Sequence, residues 1–156
     1  MSDTALLADI AARGYARPEV LVSTEWVAQN LKNPSVRIVE SNEDQLLYPS
    51  GHIPGAVHSN SDTYENGYPR WFLLPDDELK AAAGSMGVTA DATVVVYSSS
   101  PIFAARLWWI LKYLGVSDVR VLNGGCAAWA AAGYAGETAI HDPVDKDREL
   151  HPLVRW

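Results

Sequence analysis

The sequence predicts an α/β domain with a central, mainly parallel sheet of about five strands and helices on both of its faces. Three observations carry that reading. Short apolar runs alternate with helical patterns along the chain, as in successive βα units. One of those runs, Val94, Val95 and Val96, is wholly apolar and β-branched, which is how a strand buried on both faces of a parallel sheet reads. Behind it comes a polar stretch, Ser98, Ser99, Ser100, Pro101, Ile102 and Phe103, read as a six-residue loop, and then an apolar helix. Open α/β sheets place their binding sites at the carboxyl end of a central strand, where the next helix offers free N–H groups to an anion.

Taken in order, residues 1–19 form an N-terminal arm of weak helical character. A short extended piece follows at 20–22, and Ser23 or Thr24 caps a helix whose Trp26, Val27 and Leu31 face inward. VRIV at 36–39 is a strand with Glu40, Ser41 and Asn42 at its end. One helical turn at 46–48 precedes GHIPGAV at 51–57, a tight specified turn leading into a strand at 56–58. Residues 59–72 are a surface excursion with aromatic anchors Tyr64, Tyr68, Trp71 and Phe72. Pro75 with Asp76, Asp77 and Glu78 opens a helix through Ala83. Ala104, Leu107, Trp108, Leu111 and Leu114 form the apolar stripe of the helix after the central strand, closed by Gly115. VRVL at 119–122 is the last strand, and 126–132 a small-residue helix stopped by Gly133. The domain proper spans 20–136, and 137–156 is a linker or strap.

A chain of 156 residues is long enough for one domain with its own core. Its net charge of −7 argues against nucleic acid or an anionic membrane as partner, though not against a local site for a small anion. One cysteine, Cys126, excludes an intrachain disulfide and fits a reducing compartment. The N-terminus has no basic start and carries Asp3 and Asp9, so it does not read as a signal peptide, and a cytoplasmic location is expected.

GHIPGA at 51–56, VVVY at 94–97, AARLWW at 104–109 and VRVLNGGCAAWAAAGY at 119–134 together resemble the rhodanese family of sulfurtransferases in order and spacing. The resemblance covers residues 20 to 136. It implies the family's three-layer fold and a cysteine opening the loop after the central strand, which takes a sulfane sulfur from thiosulfate and hands it to cyanide or another thiophile. Here that position is Ser98. A persulfide needs a polarisable sulfur whose thiolate is populated near neutral pH, and a hydroxyl supplies neither. The YSSSPIFAARLWW pattern resembles the amino-terminal half of tandem two-domain rhodaneses, in which the first domain lacks the cysteine and braces the second. Glu40 resembles the acid of the family's D-x-R strand end, but Asn42 stands where the arginine would be, so the ion pair is not expected.

Other candidates are weighed against plainer roles. The serines can bind an anion through hydroxyls and helix amides, or simply close a turn; Pro101 and Phe103 narrow the space, Phe103 offering a ring where a substrate sulfur would sit. Arg106 can face the loop or a partner domain, or form a surface ion pair. Cys126 emerges on the same sheet edge as Ser98, so a relocated nucleophile is conceivable, against the usual inert, buried thiol. His52 reads as structural. His58, His141 and His151 show no metal spacing, and no metal or cofactor is expected. The primary expectation is a silent domain that pairs with a cysteine-bearing rhodanese domain, in trans or as a homodimer, with six tryptophans and seven tyrosines supplying an interface. The alternatives are a sulfurtransferase using Cys126 or a nucleophile replaced at position 98, and a module binding thiosulfate or sulfate.

Overall fold

The computed structural model describes residues 2–66 and 72–141. Five strands form one sheet in the order β1-β5-β4-β2-β3, all parallel: β1 Leu21–Val22, β2 Val36–Asn42, β3 Val57–Asn60, β4 Thr93–Tyr97 and β5 Asp118–Leu122. β4 is central, and its side chains alternate between two cores as a period of two requires. Val94 and Val96 point to one face, packed with Leu79 and Ala83 of α4 (Asp76–Ser85) and with Leu107, Ile110 and Leu111 of α5 (Pro101–Tyr113). Val95 and Tyr97 point to the other, with Val27 of α2 (Thr24–Asn30) and Trp129 of α6 (Gly125–Ala131). The three valines are fully enclosed, each contributing roughly 1.5–3 kcal/mol of burial. The expected α/β class, the parallel sheet and the helices on both faces are what the molecule adopts.

Three local features differ from the sequence reading. The N-terminal stretch is a defined helix rather than an arm: α1, Asp3–Ala12, is capped by the Ser2 hydroxyl and buries Leu6 and Ile10. Its i, i+4 apolar pair is too narrow a stripe to announce itself among alanines, and Asp3 adds a tertiary tie by accepting from the Ser23 amide at 3.0 Å. β2 runs to Asn42, beyond the expected 36–39, because β3 continues to pair with it through Asn42↔Asn60. The predicted six-residue loop after β4 is half that length. Pro101, Ile102 and Phe103 form the first turn of α5, with Ser100 as N-cap. Proline at the first helical position has φ already set and no N–H to leave unmatched, so the helix starts there.

Of the expected aromatic anchors, Tyr64 is buried and Phe72 exposed, while Tyr68 and Trp71 lie outside the described residues. The same holds for 142–156, most of the linker or strap. Its described start is tied down: Glu137 exchanges two backbone hydrogen bonds of 2.9 Å with His52. Among the described residues no helix is long and apolar enough to cross a membrane.

Candidate functional site

Parallel pairing of β2 with β4 sets Glu40 beside Tyr97, so the ends of these strands bring Glu40, Asn42, Tyr97 and Ser98 to one edge of the sheet. All four are buried. The Ser98 hydroxyl donates to Asn42 Oδ1 at 2.6 Å, the Ser99 hydroxyl to the same oxygen at 2.9 Å, and the Ser99 amide at 3.3 Å. Asn42 Nδ2 in turn donates to Glu40 Oε1 at 2.7 Å, and Tyr97 donates to Glu40 Oε2 at 2.6 Å while accepting from the Ile53 amide at 3.0 Å. Burial, reinforced by the Glu40 carboxyl, pushes the Tyr97 phenol far above its usual range. The Ser100 amide donates to Ser98 Oγ at 3.1 Å. The loop is therefore a plug knitted to β2, with its hydroxyls turned into the sheet edge rather than toward a ligand.

The other wall comes from β5. Gly125 has φ +54, and a Cβ there would run into the Ser98 carbonyl oxygen, so only glycine lets the two turns close on each other. The Cys126 amide donates to that same carbonyl at 3.3 Å. Cys126 thus stands next to the Ser98 turn, as its strand order led one to expect, but it is half-buried and its thiol is pushed up to about 11 by burial and then by the Glu40 charge. A thiol in that state is protonated at neutral pH and is a poor sulfur acceptor.

Arg106 reaches away from the loop. Its guanidinium meets Glu65 at 2.5 Å, with both side chains largely buried. It sits on a stripe of α5 with Ile102, Trp109 and Tyr113, three apolar residues each more than half exposed. Trp109 and Tyr113 stack at 5.6 Å between ring centroids, and a cavity of about 450 Å³ opens between Leu73, Arg106, Trp109 and Ile110.

Sequence reasoning named the loop but missed its organiser. Asn42 reads in the sequence only as the place of a missing arginine, whereas its amide is the hub that accepts from both serines and donates to Glu40. The available signal was positional: Glu40 and Asn42 are two apart on a strand and share a face. His52 has the structural bonds expected of it, with Nδ1 2.7 Å from the Tyr48 carbonyl.

The family model for the rhodanese-like domain matches residues 23–132. The chain belongs to the rhodanese family. Among its relatives are a sulfur carrier protein, TtuD, of Thermus thermophilus, 42% identical over 81% of this chain and 45% of that one, and a thiosulfate sulfurtransferase of Corynebacterium glutamicum, 41% identical over 75% of this chain and 39% of that one. The crystal structure of the 3-mercaptopyruvate sulfotransferase SseA from Escherichia coli superimposes with a TM-score of 0.71 at 26% identity, covering 79% of this chain and 52% of that one. This rhodanese-like domain thus spans less than half the length of these two curated relatives.

Proposed function

We propose that this rhodanese-like domain is catalytically silent by itself and serves as the bracing partner of a cysteine-bearing rhodanese domain, supplied in trans or by a second copy of this chain. The observation that carries the reading is Ser98: an oxygen at the family's nucleophile position, buried and donating to Asn42. The half-length match to relatives leaves room for a second domain in those proteins. The exposed stripe of Ile102, Trp109 and Tyr113 around Arg106 is the surface on which such a domain would rest. The domain proper is 20–136, with 137–156 as a linker or strap. A lone free thiol fits a reducing, cytoplasmic setting.

The competing readings have less support. Cys126 lacks thiolate character, and a thiosulfate or sulfate site at the loop would need hydroxyls that Asn42 already holds. The test is thiocyanate formation from thiosulfate and cyanide. The chain alone should give none, and adding it to a cysteine-bearing rhodanese domain should raise that domain's rate, with the gain lost in Trp109→Ala. Turnover by the chain alone, or no effect on the partner, overturns the proposal.

A further inference from the structure

Away from the serine loop, the fold gathers His52, Glu137 and His141, whose ligand atoms all lie within 4.8 Å of one another. The turn before β3 supplies His52, and the backbone bridge between His52 and Glu137 brings in the other two from the far end of the domain. The His52 ring is stacked on Tyr48 at 3.8 Å and its side chain is fully enclosed. Its Nδ1 faces a carbonyl, which can only accept, so Nδ1 carries the ring hydrogen and Nε2 is left as the acceptor. Nε2 is buried, has no hydrogen-bond partner among the described residues, and faces Glu137 Oε1 at 3.7 Å. Glu137 Oε1 already accepts from the Gly55 amide at 2.5 Å and its side chain is partly exposed, so the unmet group is the enclosed His52 nitrogen, which a cation shared with Glu137 would satisfy.

The rest of the cluster has the character of a cation site. The Gly55 amide and then His141 hold the Glu137 carboxyl below the usual carboxylate range, so it is charged near neutral pH. His141 Nε2 lies 2.5 Å from Glu137 Oε1, and the His141 ring is partly open to solvent, which gives an entry path. The bond from His52 Nδ1 to a backbone carbonyl is the outer-shell contact that orients metal-binding imidazoles.

We propose that His52 Nε2, one carboxylate oxygen of Glu137 and His141 Nε2 bind a single divalent first-row transition ion, zinc by preference, with a fourth position facing solvent. Two imidazoles and a carboxylate are a donor set that suits zinc. Tetrahedral coordination spaces ligand atoms about 3.3 Å apart, and the 2.5 and 3.7 Å separations lie either side of that value, within reach of side-chain rotation. The ion would fasten the chain after Gly136 to the turn that, through Ile53 and Tyr97, is bonded to the central strand. His52 lies far along the chain from Glu137 and His141 and meets them only through the backbone bridge, so no spacing in the sequence announces the cluster. This inference is independent of what happens at Ser98.

The full chain, stripped with a chelator, is titrated with zinc against a chromophoric indicator and, separately, with cobalt in the visible region. One equivalent should bind, giving tetrahedral cobalt d–d bands, and the affinity should fall at least ~10-fold in both His141→Ala and Glu137→Gln. Cys126→Ser should bind as the parent does. Circular dichroism checks that each variant is folded. Failure to take up one equivalent, an affinity unchanged in either ligand variant, or a cobalt–thiolate charge-transfer band that disappears in Cys126→Ser overturns the assignment.

Discussion

Two polar clusters, on either side of Tyr97, have opposite characters. At the Ser98 turn the hydroxyls of Ser98 and Ser99, the Asn42 amide and the Glu40 carboxyl are matched donor to acceptor in one network. At the His52 bridge an enclosed imidazole nitrogen is left facing a carboxylate. The contrast teaches that position alone does not make a site. The carboxyl end of the central strand is where the fold places chemistry, yet here its polar groups are spent on one another, and the unspent group lies in a turn beside an edge strand.

The comparison can be broken by emptying the network. Glu40→Ala removes the acceptor shared by Asn42 and Tyr97 and leaves both buried donors unmatched. The expected loss is about 3–5 kcal/mol, taking roughly 1–3 kcal/mol per orphaned group plus the cavity, read from urea unfolding followed by tryptophan fluorescence. A loss under about 1 kcal/mol would mean that the network is not closed as described.

Next in size is the reactivity of Cys126. Its thiol sits at about 11, so its thiolate population near pH 8 should be on the order of 100-fold below that of an ordinary cysteine. Alkylation by iodoacetamide should accelerate up to about pH 11 rather than level off near 8.5 as an ordinary thiol does. Because the folded state holds this proton more tightly than the unfolded state, its contribution to stability is complete below the unfolded value and is lost as pH rises toward the folded one. Alkylation that is already complete at pH 7.5 at the rate of free cysteine would restore Cys126 as a candidate nucleophile.

Gly125→Ala forces a side chain into a left-handed backbone and against the Ser98 carbonyl; a loss of about 2 kcal/mol is expected, and no loss would show that the β4 and β5 turns do not close together. The smallest effect is Ser98→Ala, which removes one of three donors to Asn42 Oδ1 and should cost about 1 kcal/mol with no change in sulfur transfer. Any thiocyanate activity lost with that hydroxyl would contradict the proposed bracing role.

Much of this was legible in the sequence, and the reasons are local. The three valines before Tyr97 could only be a strand with apolar surroundings on both faces, and the structure divides them between two cores. The GHIPGA turn and the Asn123-Gly124-Gly125 turn carry their geometry in glycine and proline. What escaped depends on register and on distant pairing. Pro101 reads as loop or as helix start equally well until the chain around Ser98 is fixed. α1 has two inward residues, too few for a periodic signal. The partnership of Asn42 with Ser98 follows from the alignment of β2 with β4, and that of His52 with Glu137 from a bridge that no spacing announces.

The proposal that this domain is silent by itself requires that the chain take up no sulfane sulfur. Its most direct test is the intact mass of the chain after incubation with thiosulfate and removal of the donor. An unchanged mass is predicted, since Ser98 offers oxygen and Cys126 a protonated thiol. A retained increment of about 32 Da that disappears in Cys126→Ala would contradict the account.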